Sequence, residues 1–119
     1  MKKLFKSLTV LLLTLITLFT LIACAPSSLG KANAKMKDLG YTSVHYSDVA
    51  QNGLLGMAKY IRVKNGETDT ITVYLYKNSS SAYLVKDKYK KTAQKNEVVT
   101  VSGNWVIIAT ETALKDFIS

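Results

Sequence analysis

Thr70-Ile71-Thr72-Val73-Tyr74-Leu75-Tyr76 places an aliphatic residue at every second position. That is the two-residue period of a strand, with Ile71, Val73 and Leu75 on a buried face and Thr72, Tyr74 and Tyr76 on the other. Upstream, residues 57–64 alternate in the same way, setting Ile61 and Val63 against Tyr60 and Arg62. Between the two runs lies NGETD, residues 65–69, whose Asn65-Gly66 pair suits the positive φ values of a tight turn. Residues 57–64 and 70–76 therefore read as an antiparallel hairpin. Downstream, EVVTVSGNWVIIAT at 97–110 repeats the pattern, two β-branched runs split by Ser102-Gly103-Asn104.

Helical spacing surrounds these hairpins. Leu29, Ala32, Met36 and Leu39 recur on one face of residues 29–39, and Gly40 stands where a left-handed residue ends a helix. A strand over 41–46 follows, then a stretch, 47–56, that reads equally as a helical turn or a loop. Between the hairpins, Asn78 or one of Ser79, Ser80 and Ser81 can cap a helix that turns Ala82, Val85 and Tyr89 inward and Lys86, Lys90 and Lys91 to water. A short last helix starts at Thr110, its hydroxyl as cap, and packs through Leu114, Phe117 and Ile118. The sum predicts an α+β fold: a two-layer sandwich over residues 29–119, with a mostly antiparallel four- or five-stranded sheet and covering helices.

The first 24 residues do not belong to that domain. Lys2, Lys3 and Lys6 precede an uncharged run from Leu8 to Ile22, which then reaches Leu21-Ile22-Ala23-Cys24. Leu4 to Ala23, with only Lys6 intruding near its start, is about the ~20 residues that span a bilayer, so a transmembrane helix is the rival reading. The four residues resemble the lipobox of bacterial lipoprotein precursors: Leu21 as the apolar first position, Ile22 the second, Ala23 the small third and Cys24 the modified residue. The resemblance implies a signal peptide over 1–23, cleavage before Cys24, and a thioether-linked diacylglyceryl anchor on its thiol. It implies residence on the outer face of the cell membrane, with palmitate-like acyl chains as the lipid partner and residues 24–28 as a lipidated N-terminus and short tether. Cys24 is the sole cysteine, so no intrachain disulfide is available to the exported domain.

Without Lys2, Lys3 and Lys6, the balance is 13 basic to 8 acidic residues, or +5. Such a charge favours anionic partners, a headgroup layer, a wall polymer or an envelope protein, and export argues against nucleic acid. Catalytic patterns are scarce. The one histidine, His45, has Ser43, Ser47 and Asp48 nearby, but reads as a strand-edge residue. Metal-ligand spacings and nucleotide fingerprints are missing from the sequence, Gly53-Leu54-Leu55-Gly56 included, so no cofactor or metal is expected. Glu67 and Asp69 read as turn residues. Tyr60, Tyr74 and Tyr76 form a candidate binding surface, since aromatic rings with a hydroxyl bury area and keep a polar handle. Lys86, Lys90 and Lys91 are candidate contacts to an anionic surface. The expected function is an anchored binding or accessory protein without catalysis. An envelope enzyme inhibitor or immunity protein is one alternative, and a small hydrolase built from ordinary Ser, Tyr, Lys and acidic residues is another.

Overall fold

Asn65 and Gly66 take φ of 54° and 78° in the computed structural model, which describes residues 25–119. Two successive left-handed residues make a type I′ turn, whose twist matches the strands it joins. The elements run α1 (Leu29–Asp38), β1 (Thr42–Ser47), β2 (Leu54–Lys64), β3 (Glu67–Tyr76), α2 (Ser79–Tyr89), β4 (Val98–Ser102), β5 (Trp105–Ala109) and α3 (Glu111–Ile118). The β2–β3 hairpin closes in two residues, so Glu67 pairs with Lys64 and Asp69 with Arg62. Both acids lie in the strand and not in the turn, a correction that lengthens β3 at its start.

The strands form one sheet in the order β1-β2-β3-β5-β4, each neighbouring pair antiparallel. The α+β class and the antiparallel sheet with covering helices are those predicted. Helices α1 and α3 cover one face, where Leu29, Ala32 and Met36 meet Tyr60, Ile71, Val73, Trp105, Ile107 and Phe117. Helix α2 lies across the opposite face, with Ala82 buried against Tyr76 and Val106 and with Val85 and Tyr89 beside them. Asn78 caps α2 by accepting from Ser81 N at 2.8 Å.

Pairing decides which face of β2 is buried. Tyr60 stands opposite Ile71 and Ala58 opposite Val73, so both join the core, while Val63 is exposed. This reverses the side that aliphatic content alone selects, because Tyr60 brings more area to the core than Ile61 and its hydroxyl has a partner, donating to Asn33 Oδ1 at 3.1 Å. Gly56 sits at a bulge, where the β2–β3 register shifts just after Leu54. A Cβ there would meet Leu29 Cδ1 at 2.2 Å and Ser47 O at 2.5 Å, so the first helix and β1 close over it only because it is glycine. Of the 47–56 stretch, Ser47 ends β1 and residues 54–56 begin β2, and the 48–53 connection is a loop that leads into a Gln51↔Leu54 bridge.

The N-terminal segment is not a loose tether. The Trp105 indole Nε1 donates to Pro26 O at 2.7 Å, both buried, and Ala25 packs against the core. Ser28 then caps α1 by accepting from Lys31 N at 3.2 Å. At the other end of the chain, Lys35 Nζ donates to Phe117 O at 2.9 Å and to Ser119 O, tying α1 to the last turn of α3. Thr110 makes no side-chain cap for α3; its hydroxyl instead donates to Asp69 Oδ1 at 3.3 Å.

Candidate functional site

The face of the sheet under α2 is only partly covered. Helix α2 crosses the part near Tyr76, Val101 and Gly103, and the segment after it, through Thr92, Gln94 and Glu97, returns over the rest before β4. Between that segment and β2, β3 and β5 lies a cleft of ≈ 240 Å³. Lys59, Thr70, Thr72, Tyr74, Gln94 and Glu97 supply its polar groups. The strand period places them together: Lys59 stands opposite Thr72, and Thr70, Thr72 and Tyr74 are alternate residues on one face of β3.

Two hydrogen bonds fix the acid in this cleft. Thr70 Oγ1 donates to Glu97 Oε2 at 2.8 Å and Gln94 N donates to Glu97 Oε1 at 2.9 Å, so the carboxylate is held before any ligand arrives. Tyr74 stacks on Tyr89 with centroids 4.3 Å apart, and the Tyr76 and Tyr89 hydroxyls share a hydrogen bond of 2.7 Å. Burial raises the pKa of Tyr74, and Tyr89 beside it adds to the shift. Tyr89 is raised more strongly, by burial first and then by its bond to Tyr76. These phenols are neutral at physiological pH and act as donors or acceptors, not as bases. The cleft thus offers one exposed ammonium, one fixed carboxylate and several hydroxyls. Such a set suits binding of a small polar ligand.

The predicted tyrosine surface divides. Tyr74 lines the cleft, Tyr76 is buried beneath α2, and Tyr60 lies on the opposite face with 0% exposure. The three do not form one surface, because Tyr60 pairs with Ile71 and so shares the core face. His45 is exposed on edge strand β1, opposite Lys59. Lys86 Nζ lies 4.6 Å from the Tyr83 ring centroid, Lys90 pairs with Asp87 at 3.0 Å, and Lys91 is exposed. Leu21, Ile22, Ala23 and Cys24, with residues 1–20, lie outside the described residues. Among the described residues, no helix is long and apolar enough to cross a membrane, and no three His, Cys, Asp or Glu side chains group as a metal site.

A second polar cluster went unread in the sequence. Arg62 Nη2 pairs with Asp116 Oδ2 at 2.9 Å and Asp69 Oδ2 at 3.4 Å, while Nη1 donates to Leu39 O at 2.9 Å. The guanidinium carbon sits 4.3 Å from the Tyr41 ring centroid, and Tyr41 OH donates to Asp116 Oδ2 at 2.8 Å. Burial opposes the charge on Arg62, but Tyr41 and the two aspartates outweigh it and raise its pKa. Burial, then the bond to Asp116, raises Tyr41 as well. The cluster joins the end of α1, β2, β3 and α3, and its groups point at one another, so it is a structural clasp. Neither family models, curated proteins nor solved structures provide a match to this chain.

Proposed function

We propose that this chain is a lipoprotein held on the outer face of the cell membrane through Cys24, and that it binds a small polar ligand in the cleft of Lys59, Tyr74 and Glu97 without transforming it. The lipobox resemblance supports the anchor. The observation that carries the binding role is the prepared state of Glu97, whose two oxygens are each held by a donor while Lys59 and Thr72 stand across from it. Fixed polar groups in a concave site lower the cost of ordering on binding. The cleft opens toward the end of the sheet remote from Ala25: it runs from Tyr74, two residues from Tyr76, to Thr70, six residues along β3 from Tyr76 or about 20 Å at ~3.3 Å per residue. A ligand can therefore reach it while the chain stays on the bilayer.

The anchor is tested by the intact mass of membrane-extracted protein. Wild type is expected to begin at Cys24 and carry at least two acyl chains, and Cys24→Ser is expected to remain an unlipidated precursor because a hydroxyl is a far poorer nucleophile than a thiol near neutral pH. A wild-type mass equal to the unmodified 119 residues would overturn it. Binding is tested by a thermal-shift screen of small polar compounds. A ligand at a hundredfold its Kd adds about 2.7 kcal/mol of stability, and this gain is expected to vanish in Lys59→Ala and Glu97→Gln. Equal stabilisation of both variants would move the site elsewhere.

A further inference from the structure

Gly103 lines two depressions at once. One contains Ala25, Pro26 and Trp105. The other is an open groove of ≈ 550 Å³ formed with Ser79, Ser80, Tyr83, Leu84 and Val101. Ala25, on the α1/α3 side of the sheet, and the groove, on the α2 side, therefore flank the same β4–β5 turn at one end of the sheet. Tyr83 and Leu84 are 64% and 80% exposed there, and Leu84 is the most exposed large apolar side chain among the described residues.

We infer that this groove, with Tyr83 and Leu84, is seated in the headgroup layer of an anionic bilayer; the inference rests on the lipid anchor proposed above. Consecutive Cα atoms are ~3.8 Å apart, so the thioether begins within one residue of a segment already docked on the fold. Ala25 packs against the core and Pro26 O is held by the Trp105 indole, which leaves almost no free chain between lipid and domain. With so short a link the domain cannot turn an arbitrary surface to the membrane. The end of the sheet that carries the β4–β5 turn, with the groove on its α2 side, is the one that faces it.

The composition of that surface matches an interface. Tyr83 and Leu84 give an aromatic with a polar tip and an aliphatic side chain, the pair that sits at the boundary of headgroups and acyl chains. The lysines flank them: Lys86 lies over the Tyr83 ring, and Lys77 and Lys88 are exposed. Asp87, the one acid on α2, is held ionised by its hydrogen bond to Lys90, which also neutralises it. The helix and its flanks therefore present a net positive field to anionic lipid. A lysine can extend its ammonium to the phosphates while its methylenes stay with Tyr83.

Spin labels on the full lipidated chain test this in vesicles of equal parts phosphatidylglycerol and phosphatidylcholine. Leu84→Cys carries one label, and Val63→Cys, beside the β2–β3 turn at the far end of the sheet, carries the reference. At position 84, oxygen is expected to relax the label several-fold more than a water-soluble nickel chelate does, and at 63 the chelate is expected to dominate. The contrast is expected to shrink in phosphatidylcholine alone; an identical contrast would overturn the part assigned to the lysines. A label at 84 as open to the chelate as that at 63 would overturn the seating, and one shielded from both reagents would assign the groove to a second copy or a protein partner instead. Intact mass of the same samples separates the two proposals. A lipidated mass with an aqueous label keeps the anchor and defeats the seating, whereas an unmodified mass defeats the anchor, and a label at 84 that stays embedded once Cys24 is changed to Ser, leaving position 84 the one labelled thiol, keeps the seating.

Discussion

The two faces of the sheet do different work. Under α1 and α3, Met36, Tyr60, Ile71, Val73, Ile107 and Phe117 are fully buried in one continuous cluster, with Phe117 edge-on to Trp105 at 5.1 Å. On the α2 side Tyr76, Ala82, Val106 and Ile108 are buried, and Leu54, Tyr74, Val85, Tyr89, Val99 and Val101 remain partly open. One face holds the fold by dry packing. The other keeps a polar cleft and a helix with a single fully buried residue, Ala82.

Large-to-small changes should break this comparison most visibly. Phe117→Ala is expected to cost ~3–5 kcal/mol in denaturant unfolding, the range for an aromatic removed from a packed core. Tyr89→Ala, on the other face, should cost roughly 2 kcal/mol, since it loses one aromatic pair at ~0.5–1.5 and one hydrogen bond at a similar value. Equal losses from the two would show that the faces share the burden.

Alkaline titration sharpens the comparison because both faces carry tyrosines with raised pKa. Burial pushes Tyr60 up to about 12, with Tyr46 adding to it, and Tyr41, Tyr74 and Tyr89 also move upward. A phenol that holds its proton more tightly when folded contributes stability that is complete below the unfolded value of ~10 and is lost as pH rises through the folded value. Stability is therefore expected to fall from about pH 10 upward, with a shallower fall over pH ~10–12 in Tyr60→Phe measured against wild type. An unchanged slope in the variant would show that Tyr60 does not contribute. The smallest effect is expected on the outer side of α2: Lys86, Lys90 and Lys91 together changed to Gln should alter unfolding free energy by no more than ~0.5 kcal/mol. A larger loss would mean that these side chains support the fold.

Local patterns in the sequence were legible where one residue type dictates one geometry. Asn65-Gly66 specified the hairpin, the run Asn78 to Ser81 contained the cap of α2 without singling out Asn78, and the spacing of Leu29, Ala32 and Met36 specified the inner side of α1. Features set by pairing across the chain were not. Which side of β2 is buried follows from Tyr60 meeting Ile71, and the clasp of Arg62 depends on Asp116, 54 residues away. The cleft was equally hidden, since Glu97 reaches Thr70 only after the segment following α2 folds back over the sheet. Of the predicted site residues, Tyr74 alone lines it, because the alternation of β3 was correctly read while the cover over Tyr76 could not be.

Native-state hydrogen exchange tests the division between the faces most directly. With increasing denaturant, the amides of β3 and β5 should exchange only through global unfolding. Those of α2 should exchange through a smaller opening that lies ~1–2 kcal/mol or more below it, as expected for a unit with fewer buried contacts. If α2 amides join β3 and β5 at the same free energy and the same denaturant dependence, the two faces form one cooperative core and the division between them is contradicted.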